Sequence, residues 1–439
     1  MSRTEPPLFG EARAATTNDH TRRTNLSLVL SLVHHQGTLT RAELARATGL
    51  NRSTVGTLIG QLGELGLVYE TAPGSSTGVG RPSPLVHADP ATAALAVNPE
   101  VDAITIGLVG LGGTVIKRIR YETAHLPTAE EVANIAAAVI AGMRAELDAS
   151  YRIVGIGVAV PGLVRADDGV VGYAPHLGWT DEPIAQMLAT ATGYPVHASN
   201  DASLGAGGEI LFGAGRGSLD LVYLNGGASG IGGGIISGGS LCGGAAGYAG
   251  ELGHTLVRSG GRLCHCGAVG CLETEVSRAR LLEVVGLDGG DSDDLERALA
   301  ASTDPAVAAE VQRQLDYLAV TLRGVVNVCN PERIVLGGFL ATLFALDEQR
   351  LTDLVLSEAL TGPADGVTIH RAQLGSDLLM IGAAELAFSG VLADPAAVTA
   401  AMASVRPAQA YSVKVSPRGG IDGADGVVGA PAPVTTKHR

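Results

Sequence analysis

The sequence has few aromatic residues, few cysteines and no long apolar run. Phenylalanine, tryptophan and tyrosine make up 3% of the 439 residues, so small and branched aliphatic side chains must build the hydrophobic cores. No segment approaches the roughly 20 uninterrupted apolar residues that span a bilayer, and residues 1–20 lack the apolar core of a signal peptide. We therefore expect a cytoplasmic protein without a membrane partner. With 46% hydrophobic residues, a largely disordered chain is excluded.

Positive charge is scarce overall and is concentrated near the N-terminus. The net charge of −14 argues against a protein that coats nucleic acid or anionic lipid over its whole surface. Residues 1–90, however, hold eight arginines and seven acidic residues, a net of +1, which leaves −15 on the rest of the chain. A basic front on an acidic body is typical of a DNA-reading module joined to a sensor.

Three short helices are predicted in this basic region. The first ends at Gly37 and has an apolar face made of Leu26, Val29, Leu30 and Val33. Thr40 and Glu43 form a capping box that starts a second helix. Asn51 caps a third helix, whose buried face is made of Val55, Leu58, Ile59 and Leu62. The second and third helices, joined by a glycine-containing turn, predict a helix-turn-helix.

A winged helix-turn-helix would bind a double-stranded DNA operator through its third helix and its wing. The third helix would enter the major groove with its first residues. The loop 71–84 is rich in Gly, Ser and Pro, and residues 85–86 can return as the second strand of the wing. The candidate DNA contacts are Arg52, Ser53 and Thr57 on the helix and Arg81 in the loop, aimed at the minor groove. The alternatives are phosphate contact or solvent exposure for the helix residues, and a plain helical hairpin with a linker for the whole segment.

Strands and helices alternate through the rest of the chain. The predicted strands are 95–111 with its turns, 114–119, 153–160, 219–224 and 333–336. The predicted helices are 130–149, 296–327 and 380–388. This alternation predicts an α/β body, with two lobes and a cleft between them. The tail from about residue 394 is rich in Ala, Pro, Gly and Val, and we expect it to be disordered.

A cysteine cluster carries the most specific chemical signal. The segment Glu251-Leu-Gly-His254 precedes Cys264-His-Cys266-Gly-Ala-Val-Gly-Cys271-Leu-Glu273. One histidine and three cysteines supply four ligands, enough for a closed tetrahedral zinc shell. A closed shell leaves no position for an activated water, so the Zn²⁺ would be structural, and a zinc hydrolase is disfavoured. The alternative is unmetallated buried cysteines, and His265 is expected to be a bystander.

The pattern Glu-x-Gly-His followed by Cys-x-Cys-Gly-x-x-Gly-Cys-x-Glu resembles the ROK family of bacterial sugar kinases and sugar-responsive repressors. The resemblance covers about residues 94–392 and implies a two-lobed, actin-like, sugar-kinase-like domain. The helix-turn-helix front resembles that of the family's repressors and is absent from its kinases. We therefore expect a flexible tail at 1–20, a winged helix-turn-helix domain with its linker at 21–90, the ROK domain at 94–392, and a flexible tail at 393–439.

Carried over residue by residue, the resemblance assigns both a metal site and a sugar site. It assigns zinc to His254, Cys264, Cys266 and Cys271. It assigns the sugar to Asn200, Asp201, Glu251, His254 and Glu273, among which the Asp201 position is the catalytic base of the family's kinases. Carboxylates and an amide suit the alternating hydroxyls of a pyranose, and an imidazole shared by metal and sugar would join the two sites. The alternatives are that Asp201 only caps a helix and that Glu251 only supports a zinc ligand.

One loop departs from the pattern of the family's kinases. Those kinases begin the domain with Asp-x-Gly-Gly-Thr, whereas this chain has Val97-Asn98-Pro99-Glu100-Val101-Asp102. Glu100 and Val101 replace glycines whose backbone N–H groups approach phosphate, and the Glu100 carboxylate would repel it. The later segment 228–232 keeps its glycines better. We therefore predict a protein that is not an enzyme, with Asp201 as a vestigial base.

The sequence thus predicts a sugar-responsive transcriptional regulator, a repressor of carbohydrate uptake or catabolism genes that a sugar releases from DNA. Sugar binding between the lobes would shift the DNA-binding heads of a homodimer or homotetramer. An ATP-dependent sugar kinase carrying a DNA-binding domain is the alternative. Xylose, glucose and N-acetylglucosamine all suit the candidate residues, and activation in place of repression is compatible with them.

Overall fold

The structure, a computed structural model, describes residues 17–72, 83–289 and 292–397. An N-terminal unit of three helices and a small sheet precedes two lobes, each built on a five-stranded sheet. The elements of the N-terminal unit are α1 (Thr17–Gln36), β1 (Leu39–Thr40), α2 (Arg41–Thr48), α3 (Arg52–Glu64), β2 (Val68–Thr71) and β3 (Leu85–Ala88). Its three strands pair antiparallel in the order β1-β3-β2. Residues 73–82, which include Arg81, lie outside the described residues.

Capping residues set the ends of the N-terminal helices. The predicted capping box is present, since Glu43 N donates to Thr40 Oγ1 at 3.1 Å and Thr40 N donates to Glu43 Oε2 at 2.7 Å. Gly49 ends α2 with a φ of +71°, and Asn51 caps α3. Helix α1 begins at Thr17, inside the range expected to be a flexible tail and nine residues before the predicted apolar face starts.

The first lobe contains a mixed sheet of order β11-β7-β4-β5-β6 and a small three-stranded sheet, β10-β9-β8. Strands β4, β5 and β6 form an antiparallel meander, and β7 and β11 run parallel to β4. The elements are β4 (Thr92–Pro99), β5 (Ala103–Gly110), β6 (Thr114–Glu122), α4 (Ala129–Ser150), β7 (Arg152–Val160), β8 (Leu163–Val164), β9 (Val171–Ala174), β10 (Trp179–Glu182), α5 (Ile184–Thr192) and β11 (Val196–Asn200).

The second lobe repeats this plan with a sheet of order β14-β13-β12-β15-β16. The elements from the lobe boundary onward are α6 (Asp201–Phe212), β12 (Leu221–Gly227), β13 (Gly230–Ser237), β14 (Ser240–Leu241), α7 (Leu272–Glu275), α8 (Arg278–Val285), α9 (Ser292–Ala301), α10 (Pro305–Cys329), β15 (Arg333–Gly338), α11 (Phe339–Leu346), α12 (Glu348–Glu358), α13 (Thr361–Ala364), β16 (Thr368–Arg371) and α14 (Leu378–Ala393). Short 3-10 turns lie at Leu252–His254, Gly375–Asp377 and Pro395–Ala397.

The two lobes therefore share one topology. Each has an antiparallel three-stranded meander, then helices, then two further strands parallel to the first strand of the meander. In a parallel sheet the side chains that follow the carboxyl ends of the strands meet at one edge, so two such sheets facing each other enclose a cleft. The mixed α/β body with two lobes is as predicted.

Two helices, α6 and α14, run between the lobes and bring the sheets into close contact. Helix α14 packs on β4 and β7 of the first sheet and on α6, which in turn packs on β12 and β13. At Gly157 of β7 a Cβ atom would lie 1.7 Å from the Ala383 carbonyl oxygen of α14, so only glycine permits this approach. The segment Gly375–Ala393 is long and apolar enough to cross a membrane. However, 61% of its most apolar 18-residue stretch is buried inside the protein, as in a core helix.

Two predicted elements are divided in the structure. The apolar run 95–111 forms β4 and β5, which are joined by a turn at residues 100–102. The predicted helix 296–327 is two helices, α9 and α10, because Asp304 caps a new helix whose first residue is Pro305. Proline is tolerated in the first turn of a helix and disrupts its interior, so helix α9 ends before it.

Candidate functional site

A pocket of about 230 Å³ lies between the two lobes. The first lobe contributes the Pro161-Gly162 turn after β7 and the loop containing His176. The second lobe contributes the turn between β12 and β13 and five residues of the segment 251–273, of which Cys266 is the one cysteine. The volume corresponds to roughly eight water molecules, which suits a ligand of monosaccharide size.

Asn200 and Asp201 lie where β11 passes into α6, and both line the pocket. Asn200 is the helix cap, because its Oδ1 accepts the Ser203 N–H at 2.9 Å, while its Nδ2 donates to Gly162 O at 3.0 Å. Asn200 is therefore the N-cap residue, and the Asp201 carboxylate also accepts a backbone N–H of the first turn, that of Ala202 at 2.8 Å. Asp201 is the first helical residue, and burial raises its pKa to about 7, with added repulsion from Glu251.

His254 stands between the pocket and the cysteines. Its Nδ1 is 3.6 Å from Cys264 Sγ, whereas its Nε2 is 3.9 Å from Glu251 Oε2. The two ring nitrogens therefore face different groups. Glu251 and His254 are brought together by the 3-10 turn Leu252–His254. Burial raises the pKa of the Glu251 carboxyl, and Glu273 raises it further.

Four side chains form a Cys/His cluster of the kind that binds a metal ion. The ligand atoms of His254, Cys264, Cys266 and Cys271 all lie within 4.8 Å of one another. Burial raises the pKa of the Cys264 and Cys271 thiols, so holding these two as thiolates requires a cation. A second combination, in which His265 and Glu273 replace Cys266 and Cys271, meets the same distance limit.

Glu273, His265 and His176 line the pocket next to the cysteine cluster. Glu273 Oε1 accepts the Cys264 Sγ–H at 3.0 Å and lies 3.1 Å from His265 Nδ1. His265, which the sequence led us to expect as a bystander, lines the pocket, with its ring 4.6 Å from that of His176. The sequence did not point to His176, because this contact joins opposite lobes and has no local spacing.

The turn between β4 and β5 is filled by side chains. Asn98 Nδ2 donates to Glu100 Oε1 at 3.2 Å, and Arg120 Nη2 lies 3.7 Å from Glu100 Oε2. Arg120 also donates to Asp102 at 3.0 Å. Burial raises the pKa of the Glu100 carboxyl. The pocket wall, as far as the described residues form it, does not include residues 98–102.

The equivalent turn of the second lobe, between β12 and β13, is part of the pocket wall. Gly230 has a φ of +136°, and a Cβ atom there would lie 2.5 Å from Glu273 Oε2. Glycine is therefore favoured at this position by its backbone conformation, and a Cβ atom there would also displace the Glu273 carboxylate.

The candidate DNA contacts on α3 lie together on an exposed surface. Arg52, Ser53 and Thr57 are all exposed near the start of the helix. The Ser53 hydroxyl donates to Asn51 Oδ1 at 2.7 Å, and the Thr57 hydroxyl donates to Ser53 O at 3.1 Å. Both hydroxyl protons are engaged within the helix, so their oxygens are available chiefly as acceptors. The fourth candidate, Arg81, lies outside the described residues.

Comparison with known families matches residues 95–389 to the family described as "ROK family". A curated protein named putative xylose repressor, from a Caldicellulosiruptor species, is 28% identical over 390 residues, covering 85% of this chain and 98% of that protein. A glucokinase from Halalkalibacterium halodurans is 31% identical over 304 residues, covering 62% of this chain and 92% of that protein.

A solved structure with the same fold covers most of the chain. It is described as a ROK family transcriptional regulator, a homolog of the E. coli MLC protein. The TM-score is 0.69 at 24% identity, and the similarity covers 88% of this chain and 100% of that one. The similarity to this structure extends beyond residues 95–389 and therefore reaches outside the two lobes.

Proposed function

The chain belongs to the ROK family, and from this premise we propose that it is a sugar-responsive, DNA-binding transcriptional repressor of carbohydrate uptake or catabolism genes. The observation that carries the proposal is the extent of the two matches. The similarity to a xylose repressor covers 85% of the chain and so extends beyond the two lobes, whereas the similarity to a glucokinase covers 62%. The additional N-terminal unit is what a repressor needs and a kinase does not.

We propose that residues 21–90 are a winged helix-turn-helix domain with its linker, followed by the ROK domain at 94–392. In support, α2 and α3 are joined by a short turn at Gly49, and the β2–β3 hairpin follows α3 in the position of a wing. Arg52, Ser53 and Thr57 would contact DNA from α3, and Arg81 would do so from the wing. The tails expected at 1–20 and 393–439 lie mostly outside the described residues. Where the structure describes them, both expectations are corrected, because α1 begins at Thr17 and Pro395–Ala397 form a 3-10 turn.

The sugar would bind in the pocket between the lobes. Asn200, Asp201, Glu251, His254 and Glu273 all line this pocket, and they offer the mixed donors and acceptors that an array of hydroxyl groups requires. Xylose is the first sugar to test, because it is named for two of the relatives. Sugar held by residues of both lobes would favour a closed arrangement of the lobes, which is the differential binding that an effector needs.

We propose that His254, Cys264, Cys266 and Cys271 hold a structural Zn²⁺. Three thiolates and an imidazole are the donors that zinc prefers, and they leave no open position for catalysis. When bound, the ion supplies the positive charge that stabilises the buried thiolates. His254 would then orient its Nε2 toward Glu251 and the pocket, and Glu273 would hold His265 beside the cluster.

The proposal is tested by selecting DNA fragments on the purified full-length protein and eluting them with xylose, glucose and N-acetylglucosamine at constant salt. Salt is held constant because phosphate contacts alone change DNA affinity by orders of magnitude. We expect one sugar to release specific fragments. Fragments that bind specifically but are released by no sugar would refute the sugar response, and the absence of specific binding would refute the DNA-binding head.

Substitution of the α3 surface separates the head from the sensor. We expect Arg52→Ala to weaken binding of the selected fragment by about 5- to 100-fold while leaving sugar affinity unchanged. Arg144→Ala, on the exposed surface of α4, is the matched control and is expected to change neither. An Arg52→Ala variant with unchanged DNA affinity would show that α3 does not present this side chain to DNA.

A second candidate function is an ATP-dependent sugar kinase that also carries a DNA-binding domain. It is favoured by Asp201, whose pKa of about 7 suits a general base, and by the glucokinase relatives. Glu100 argues against it, because its carboxylate occupies a turn in which a kinase binds phosphate. A coupled ATPase assay with the same three sugars decides between the two functions, and we expect no turnover. The proposed repressor would act in the cytoplasm as a homodimer or homotetramer.

A further inference from the structure

The C-terminal end of α1 is held against α14 by a buried carboxylate. Glu385 of α14 lies between two imidazoles of α1: His34 Nε2 is 2.5 Å from its Oε1, and His35 Nε2 is 3.1 Å from its Oε2. His34 is fully buried, and Glu385 is 3% exposed. Because a buried carboxylate is stable only while it is hydrogen-bonded, α1 cannot leave α14 without a large penalty.

These three side chains form a hydrogen-bonded anchor and not a metal site. Their donor atoms lie within 4.8 Å of one another, as metal ligands would. However, Gly112 N donates to His34 Nδ1 at 2.7 Å, so Nδ1 is the acceptor and Nε2 carries the ring proton. A protonated nitrogen cannot bind a metal ion, and its proton is instead donated to Glu385.

Helix α6 makes the second contact with the same end of α1. Phe212, its last residue, has its ring centroid 5.5 Å from that of His34 and 5.7 Å from that of His35. The opposite end of α6 is Asp201, in the pocket. The twelve residues of α6 therefore span about 18 Å from the candidate sugar site to the N-terminal unit.

Helix α6 has little room to absorb a displacement along its length. Residues 202–211 are buried throughout, between α14 and strands of both lobes. A Cβ atom at Gly205 would lie 2.7 Å from the Tyr223 ring, and one at Gly208 would lie 2.9 Å from Leu378. Such close packing moves as a unit and does not deform continuously. Beyond His35, α1 ends one residue before Gly37, and the chain passes into β1 and α2.

We propose that α6 is the element through which sugar binding reaches the DNA-binding head, and that Phe212 is its point of contact. Glu385 serves as the fixed anchor of α1, because its hydrogen bonds are directional. The Phe212 ring only packs against the two imidazole rings, so a displacement of α6 can change its position relative to α1. This inference rests on the proposed function, and it names the route of regulation for the same pocket.

The test compares Phe212→Ala with Tyr317→Ala in the full-length protein. Tyr317 is a partly buried aromatic residue of α10, outside both the pocket and the contact with α1, and so serves as the matched control. The DNA probe is a duplex selected by the wild-type protein, and the sugar probes are xylose, glucose and N-acetylglucosamine. Operator affinity is measured with and without sugar at one salt concentration, and sugar affinity is measured by calorimetry.

We expect Phe212→Ala to keep sugar affinity and sugar-free operator affinity within about twofold of wild type. The ratio of operator affinities without and with sugar should fall from the 5- to 150-fold typical of allosteric coupling to about 1. By reciprocity, operator DNA should also cease to change the sugar affinity of this variant. Tyr317→Ala should keep the wild-type ratio. If Phe212→Ala fails to show a cooperative thermal transition, Phe212→Leu preserves apolar volume and should still lower the ratio.

The remaining outcomes separate this inference from the proposed function. A wild-type ratio in folded Phe212 variants overturns the role of α6 and leaves the repressor proposal standing. An equal fall of the ratio in Tyr317→Ala also overturns it, because general loosening would then account for the effect. A wild-type protein whose operator affinity responds to no sugar overturns the proposed function, and this inference falls with it.

Discussion

The two lobes share a topology but differ in the turn that joins the first two strands of each sheet. In the first lobe this turn is occupied by Glu100, which contacts Asn98 and Arg120 and lies outside the pocket wall. In the second lobe the equivalent turn lines the pocket, and Gly230, which follows it, has no side chain beside the Glu273 carboxylate. One turn has its space filled by side chains, and the other keeps the space that a ligand needs.

If the proposed function holds, this difference means that a binding pocket and a phosphate site need not be retained together. Binding a sugar requires polar groups around hydroxyls, whereas transferring phosphate requires backbone N–H groups and positive charge at one more place. In the proposed repressor, Glu100 and Asn98 together would remove the second requirement without touching the first. The following predictions test whether ligand binding depends on the turn of the second lobe and the adjacent cysteine cluster, and not on the turn of the first lobe.

Loss of a metal ligand should have the largest effect. Cys266→Ser removes one of four donors, so we expect at least a 100-fold loss of zinc affinity and, with it, of sugar binding and DNA release. Zinc per chain is measured by atomic emission, and sugar binding is measured by calorimetry. Cys242→Ser, an exposed cysteine outside the cluster, is the control and should change neither. A metal-free Cys266→Ser protein with normal sugar affinity would contradict the coupling of the two sites.

Adding one carbon atom beside the turn of the second lobe should have the second-largest effect on sugar affinity. Gly230→Ala places a Cβ atom 2.5 Å from Glu273 Oε2 at a φ of +136°, so sugar affinity should fall more than about tenfold. Gly238→Ala is the matched control, since it also has a positive φ but has open space around it. From the backbone conformation alone, Gly238→Ala should lose about 1 kcal/mol of stability and Gly230→Ala up to about 3 kcal/mol, because a φ of +136° lies outside the left-handed region that alanine can adopt. Equal losses of sugar affinity in the two would attribute the effect to strain and not to the pocket.

The pH dependence of sugar binding should be smaller, and its sign follows from Asp201. A sugar hydroxyl that donates to the carboxylate stabilises the ionised form, so binding lowers a pKa that is about 7 in the free pocket. Affinity should therefore rise with pH, by up to about tenfold between pH 6 and pH 8. In Asp201→Asn this rise should disappear and affinity should be low throughout. A rise that persists in Asp201→Asn would assign the titration to another group.

Changes in the first-lobe turn should have the smallest effect. Glu100→Gln removes a charge outside the pocket wall, so sugar affinity should stay within about twofold of wild type. Glu100→Gly reopens the turn, but Asn98 still stands where the kinases have aspartate, and we expect no ATP turnover in a coupled assay. Turnover in Glu100→Gly would show that this one side chain had separated the repressor from the kinases.

Local sequence signals correctly predicted several helices and strands, whereas contacts between segments distant in the sequence were not predicted. Thr40 and Glu43 predicted a capping box, and the structure contains it. This prediction was possible because the hydrogen bonds of a capping box span only three residues. The spacing of the cysteines predicted a cluster that the fold brings together around His254. Neither the contact of His176 with His265 nor that of Phe212 with α1 could be predicted, because each joins residues far apart in the chain.

The sequence by itself determined the three N-terminal helices, several strands and helices of the two lobes, the composition of the cysteine cluster and the family. These properties depend on periodicity, capping and short spacings, which act within a few residues of the chain. Only the tertiary structure decided which lobe's turn lines the pocket and that α6 connects Asp201 to the end of α1. It also showed that α1 is anchored on Glu385. Such properties depend on how two sheets and two helices pack, and residues hundreds of positions apart contribute to that packing together.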